Sequence, residues 1–416
     1  MILQNFPRVT GAPLYAEPVL YLTMRDRTIP WQFNGWRRES LSWKTGCYIH
    51  SGLSGWRTRF SGTDALRFWQ SICVNGFSRF EVGSLKHAVM CTQEGLIAAH
   101  AVLQRDGEND FSLMAAGFPW AEYQALKSGM NVSFARDDSF IHQVAGPTSL
   151  ATLERAAGES LADIRFLRFR LARIAGVAVE IARVGMSGNL AYEVRGAGAD
   201  AEAVYDAIYR AGAGLGIERL GWGTYFVNHV EGGFPQATWT FFSAALDDQS
   251  FRQRMIPDLH VSVSGSVDPA AMRARYRTPS EVGWQSVVRL DHDFIGRQAV
   301  EAEMANPRRT IVTLRWNADD VLDVMASLFR PGREYKPFDF PVTPSWQHGF
   351  NAHADHVLQQ GSHVGISSGT IYSYHYREML SMATVDLEAA GIGTQVEVLW
   401  GDHGEPVKTI RATVAG

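Results

Sequence analysis

Hydrophobic and polar positions change period several times along this chain, and each change marks an element. Residues 56–62 (WRTRFSG) alternate and predict a strand; Thr63 and Asp64 then open ALRFWQSI, whose apolar residues recur at helical spacing and which they are expected to cap. Residues 86–116 hold apolar runs broken by Gln93-Glu94-Gly95 and by the polar stretch 106–110, which predicts strands joined by tight turns. A helix over 118–127 follows, and the order then repeats: strands in VSFARDD and HQVAGP, a helix over 148–157 opened by Pro147-Thr148, strands in RIAGVAVEIARVG and LAYEVRG, and an amphipathic helix over 200–212. Helices interleaved with antiparallel strands predict an α+β fold rather than parallel βαβ units. Near residue 307 the texture shifts to strands (TIVTLRW, HVGISSG, EMLSMATVD, TQVEVLWG) with few helices, which predicts a C-terminal β-barrel. Residues 1–45 show no clear period and read as an irregular arm, so the expected division is 1–45, 46–306 and 307–416.

Length and composition narrow the classes. At 416 residues the chain is long for a single core, and 46% hydrophobic with 20% charged residues describes a soluble globular protein with no run long enough for a membrane helix. The N-terminal stretch lacks a basic start followed by an apolar run, so a cytoplasmic location is expected. A net charge of -4 disfavours nucleic acid as a partner and favours a small molecule. Cys47, Cys73 and Cys91 are odd in number and widely spaced, which argues against a disulfide framework. No phosphate loop, zinc spacing or nucleophile elbow is present; His348, His353, His356 and His363 lack matched spacing, and no metal is expected. The oligomeric state is open, with a homodimer allowed.

Nine segments in one order carry a family likeness: RFSGTDALRFWQ, VNGFSRFEVG, HQVAGPTSL, RVGMSGNLAYEV, VEGGFP, TPSEVGW, DHDFIGRQAV, GISSGTIYSYHYREMLSMATVD and GTQVEVLWG. Together they resemble the glycine-cleavage T-protein (aminomethyltransferase) superfamily. Cys-Tyr-Ile-His ahead of the first strand, DHDFIGR, the insertion RWNADDVLDVMASLFRPG and the Tyr-Ser-Tyr run are most similar to the tetrahydrofolate-dependent aromatic O-demethylases of the vanillate, 3-O-methylgallate and syringate type. The resemblance implies two antiparallel-sheet-plus-helix folate-binding subdomains and a C-terminal β-barrel in a three-domain ring. It also implies tetrahydrofolate as methyl acceptor.

The same resemblance assigns roles. Glu193 matches the carboxylate that grips the pterin, whose adjacent N–H and amino groups suit a bidentate acceptor; an alternating strand Glu is otherwise a solvent-facing residue. Gln143 would meet the same heterocycle through its amide, and Gly185 and Met186 would let the backbone pass close to it, although an ordinary strand glutamine and a plain turn explain them equally. Tyr225 is placed beside the methoxy oxygen, where a phenol donor can stabilise the leaving phenolate; most tyrosines merely pack. Ala99-His100 stands where T-proteins carry an acidic pair, which puts glycine-cleavage activity in doubt and leaves His100 as a proton carrier or a satisfied strand histidine. Tyr48, His50 and Arg105 take the positions of residues that hold the carboxylate or hydroxyl of an aromatic acid, against the default of a surface arginine. Trp56, Phe234 and Trp239 are candidates for stacking on a flat substrate, or for the core.

The leading expectation is therefore methyl transfer from a methoxyaromatic compound to tetrahydrofolate in aromatic, lignin-derived catabolism, giving 5-methyltetrahydrofolate and a phenol. Demethylation of a sulfonium or N-methyl donor, and a folate-binding regulatory protein without catalysis, stand as alternatives.

Overall fold

A computed structural model describes residues 18–24, 27–51, 56–114, 119–257, 259, 261–338 and 350–415. The described elements are, in chain order, β1 (Leu20–Met24), β2 (Arg27–Gln32), α1 (Trp36–Thr45), β3 (Cys47–Ser51), β4 (Trp56–Ser61), α2 (Ala65–Ile72), β5 (Leu85–Cys91), β6 (Ile97–Arg105), β7 (Asp110–Met114), α3 (Trp120–Ser128), β8 (Ser133–Ala145), α4 (Ser149–Ala157), β9 (Phe169–Ile174), β10 (Val177–Ala182), β11 (Ala191–Ala197), α5 (Ala201–Ala211), β12 (Ile217–Arg219), α6 (Trp222–Glu231), α7 (Gln249–Met255), β13 (Val261–Ser264), α8 (Arg297–Ala305), β14 (Arg309–Trp316), α9 (Ala318–Ser327), β15 (Phe350–His353), β16 (Asp355–Gln359), β17 (Ser362–Ser373), β18 (Glu378–Asp386), β19 (Gln395–Trp400) and β20 (Lys408–Ala415). They form two units: Met1–Ala88 with His100–Tyr225, and Val89–Ala99 with Phe226–Gly416. The α+β class is as expected. The boundary between these units falls inside α6.

One sheet of ten strands organises the first unit, in the order β5-β6-β7-β4-β8-β11-β10-β9, with β3 also on β8 and β12 on β3. The 13-residue strand β8 joins its halves: its first part pairs with β4, its second with β11 and β3. Because side chains alternate along a strand, one face collects Cys47, Ile49, Phe140, Val144, Val179, Ile181, Tyr192 and Val194, and these pack on Leu153 of α4 and on Val204, Tyr205 and Ile208 of α5. Beyond β8 the same face carries Phe60 and Phe111 against Trp69 of α2. Each such buried side chain contributes roughly 1.5–3 kcal/mol. The alternate positions Tyr48, His50, Gln143, Glu180, Glu193 and Arg195 occupy the opposite face, and they too are buried.

The second unit contains the C-terminal barrel, closed in the order β14-β18-β17-β16-β19-β20 by pairing of β14 with β20. Its interior is filled by Leu314, Val357, Val385, Val398, Ile410 and Val414, with Trp316, Phe338 and Trp400 in mutual ring contact. Among the described residues no helix is long and apolar enough to cross a membrane.

Two local expectations need correction. The stretch 1–45 is not irregular throughout: β1 pairs with β2, and α1 spans Trp36–Thr45. The run WRRESLSWKT is too polar to show helical periodicity. Its anchor is the buried Glu39, whose carboxylate accepts from the backbone N–H groups of Phe33 (2.6 Å), Asn34 (3.1 Å) and Gly221 (2.9 Å). Asp64 does stand at the N-cap of α2, but its carboxylate turns instead to the backbone N–H of Asn131.

On the apolar face, His142 donates from Nε2 to the carbonyl of Ala201 (2.8 Å) and stacks on Phe140, which ties β8 to the start of α5. Burial pulls its pKa down to about 4, against partial support from backbone bonds. The unfolded chain therefore takes up this proton first, at roughly pH 6.5, so the stability His142 contributes above that pH is lost as pH falls toward 4. Urea-unfolding midpoints are expected to drop over that window, and His142→Gln is expected to flatten the drop. An identical pH slope in the variant would contradict the assignment.

Candidate active site

The polar face of the sheet is built by cross-strand registry. His50 on β3 lies directly opposite Gln143 on β8, and Gln143 lies directly opposite Glu193 on β11, so three strands deliver one row of side chains. Tyr48, two residues before His50 on the same face, donates its hydroxyl to Gln143 Oε1 at 2.7 Å, and the Ser187 hydroxyl reaches the same phenol. Burial and the nearby Glu193 carboxylate raise the Tyr48 pKa, so the phenol stays protonated. Tyr225 of α6 stacks on His50, with ring centroids 4.5 Å apart and planes at 9°. His50 Nδ1 is 2.9 Å from the carbonyl of Leu220, which assigns that nitrogen the proton. Burial, reinforced by Tyr48 and Glu193, holds the Tyr225 pKa well above an ordinary phenol.

Glu193 does not sit alone. Arg195, two residues on and therefore on the same face, donates to Glu193 Oε2 from Nε (3.1 Å) and Nη2 (2.5 Å). Its Nη1 reaches Gln104 Oε1 (2.8 Å) and Glu180 Oε1 (3.3 Å). Gln104 passes the contact to Asp106 (2.8 Å) and Glu180 (2.9 Å), and Arg57 meets Asp106 at 2.9 Å. The result is a branched charge network across β4, β6, β10 and β11, buried at Arg195, Glu193, Glu180 and Gln104 and half-buried at Arg57 and Asp106. His100 belongs to the same face: it stacks on His87, with His87 Nδ1 3.2 Å from His100 Nε2. Burial lowers both pKa values, that of His100 further because His87 adjoins it, while Glu193 partly offsets the effect at His87. Both imidazoles are neutral near pH 7.

The structure thus brings Tyr48, His50, Gln143, Glu193 and Tyr225 together and places His100 in the same layer. Gly185 has a packing reason for being glycine: a Cβ there would lie 2.5 Å from that of Ala191. Met186 is half-buried in the adjoining turn. Arg105, expected as a substrate clamp, is not brought to this row. It falls on the opposite face of β6, its guanidinium 5.7 Å from the Phe111 ring, and it donates to the carbonyls of Phe80, Gly107 and Glu108. Gln104, one residue earlier, is the β6 side chain that points into the network. Arg195, Glu180, His87 and Ser187 were also not singled out from the sequence, although Glu180 and Arg195 follow from the same alternation that selects Glu193. Trp239 stacks on Phe226 and Phe234 lies against Trp284, both in the second unit. The side chain of Trp56, and His348, lie outside the described residues.

Residues 15–239, more than half of the chain, match the family described as the GCVT N-terminal domain. The chain belongs to the glycine-cleavage T-protein family. Within it, the chain is 39% identical to a sesamin methylene transferase of Sinomonas sp., over 93% of this chain and 89% of that one. It is 32% identical to a syringate O-demethylase of Sphingobium sp., over 90% and 84%. Aminomethyltransferase of Thermotoga petrophila is more distant, at 23% identity over 61% and 62%. The fold is that of aminomethyltransferase T from Bartonella henselae, with a TM-score of 0.68, 16% identity and coverage of 98% and 97%. This T-protein relative is accordingly an enzyme, placed near the O-demethylating branch of its family.

Arg195 is the hub on which the acidic side chains depend. Arg195→Met is expected to lower the unfolding free energy by roughly 3–5 kcal/mol, because Glu193 would remain buried without its cation and Glu180 would keep only Arg57, 3.7 Å away. Urea denaturation measures this, and an unchanged midpoint would show that the carboxylates are solvated without it.

Proposed function

We propose that this enzyme transfers a one-carbon group from the ether oxygen of an aromatic donor to tetrahydrofolate, in the main reading a methyl group that leaves a phenol and 5-methyltetrahydrofolate. The observation that carries the proposal is the row His50–Gln143–Glu193 with Tyr225 stacked at one end. It sets a heterocycle-binding edge beside a protonated phenol.

The edge fits a reduced pterin. Both Arg195 bonds fall on Glu193 Oε2, and among the described residues no hydrogen bond falls on Oε1; Gln143 accepts through Oε1 while no described acceptor takes its amide hydrogens. A carboxylate acceptor and an amide donor on neighbouring strands match the N–H, amino and carbonyl groups along one side of that ring. When bound, tetrahydrofolate supplies a nucleophilic nitrogen to accept the carbon.

The chain's own residues then have definite tasks. Arg195 holds the Glu193 carboxylate in one orientation, and Tyr48 does the same for the Gln143 amide. Tyr225 donates a hydrogen bond to the ether oxygen as negative charge builds on it, and its raised pKa keeps the proton available for that donation. His87 and His100, both neutral, offer nitrogens to carry the proton with which the phenol product ends. Alignment of two partners in a buried site provides the remainder of the acceleration.

A second reading follows from the relative at 39% identity, whose name specifies methylene transfer. In it the donor is a methylenedioxy ring, the carbon leaves two oxygens in turn, and the products are a catechol and methylenetetrahydrofolate. Mass spectrometry of the folate product decides between them, since methyl and methylene forms differ in mass; formation of neither from aryl ethers would refute the proposal.

Two substitutions test the assigned roles. Glu193→Gln is expected to weaken tetrahydrofolate binding roughly 10- to 100-fold by calorimetry, the loss of a charge-assisted pair. Tyr225→Phe is expected to lower kcat by roughly 10²–10³ with folate affinity nearly intact. Full turnover would assign the leaving oxygen to another donor.

A further inference from the structure

We infer that the aromatic donor this site accepts is uncharged, a neutral aryl ether rather than a methoxybenzoate anion. The inference rests on the one-carbon transfer reading of the same site and adds the charge class of its substrate. Three observations support it.

The first is the parity of β6. Arg105 and Gln104 are neighbours, so only one can point into the polar face, and the register Gln104↔Ser112 and Arg105↔Phe111 gives that place to the amide. With its donors on the carbonyls of Phe80, Gly107 and Glu108, Arg105 closes a loop on the far side of the sheet. Lys86 is on that side as well, its Nζ 4.2 Å from the ring centres of Phe77 and Phe80.

The second is the charge balance of the network. Three guanidinium groups, Arg57, Arg59 and Arg195, face four carboxylates, Asp106, Asp137, Glu180 and Glu193. Arg195 spends its donors on Glu193, Glu180 and Gln104, and Arg57 spends its own on Ser112 and Asp106. An added carboxylate meets a net negative field in a buried place where such a field is weakly screened.

The third is the character of the remaining polar groups. Tyr48, Gln143, Tyr225, His87 and His100 offer hydrogen bonds without charge; burial raises the Tyr48 and Tyr225 pKa values and disfavours the imidazolium forms of His87 and His100. Neutral donors and acceptors suit ether, hydroxyl and methylenedioxy oxygens, whereas a carboxylate brought among them loses its water without gaining a free cation from the described residues of this face.

Isosteric pairs test this directly: methoxybenzoates against the corresponding methoxybenzamides and methyl esters, with the methoxy group at each ring position. The full chain is assayed for product formation with tetrahydrofolate, and for donor binding by calorimetry without turnover. The neutral member of each productive pair is expected to bind and react roughly 10- to 100-fold better. Glu180→Gln is expected to narrow that gap by improving the acid more than the amide. Equal or better binding or turnover of the acid overturns the inference, as does a panel in which no neutral member binds. Product formed preferentially from acids would sink the charge assignment while leaving the transfer reaction standing; bound neutral donors that yield no product would sink the reaction instead.

Discussion

Arg195 and Glu193 share one face of one strand, and neither can be buried there without the other. Taking either charge out of water alone costs several kcal/mol; together, with Gln104 and Glu180 completing the hydrogen bonds, they become tolerable. That arrangement is better understood as a means of fixing a carboxylate than as a source of stability. A lone Glu on a strand samples several rotamers, whereas one gripped through Oε2 presents Oε1 in a single direction. The active site begins from this pair.

The sheet around it explains how a polar surface can be buried without melting the fold. Every strand near the site alternates between a face committed to helices α2, α4 and α5 and a face committed to the network, so stability and chemistry draw on different side chains of the same strand. Gly146 shows how tight the frame is. Its backbone has φ +129°, and a Cβ there would come within 2.5 Å of the carbonyl oxygen of Gly46. The end of β8 is thereby held against the start of β3, which is what sets His50 beside Gln143.

Much of this was legible from the order of residues. Strand and helix periods located β4 to β7, the two halves of β8, β9 to β11, α2, α4 and α5, and the barrel strands β14, β17, β18 and β19, because each has a face that must be apolar; β16 and β20 were not read from the sequence. Glu193, Gln143, His50 and Tyr225 were singled out through family motifs; strand register brings the first three together, and Tyr225 joins them from α6 by stacking on His50. What stayed hidden had physical causes. The helix α1 is stabilised by a buried Glu39 that caps backbone N–H groups, so no apolar stripe betrays it. Arg105 lies on the face opposite Gln104, and motif position does not resolve a one-residue change of face. His87 and Gln104 acquire meaning only from partners that lie 13 and 91 residues away in the chain, His100 and Arg195.

The proposed substrate picture is accordingly a neutral, hydrogen-bonding surface beside a fixed carboxylate rather than a clamp for aromatic acids. The central claim is that Glu193 serves a ligand through the oxygen Arg195 leaves open. A crystal structure of the protein with 5-methyltetrahydrofolate measures it most directly. The account predicts the pterin amino group within hydrogen-bond distance of Glu193 Oε1, with the Arg195 contact to Oε2 retained; a pterin held elsewhere, with Glu193 bonded only to Arg195, would contradict it.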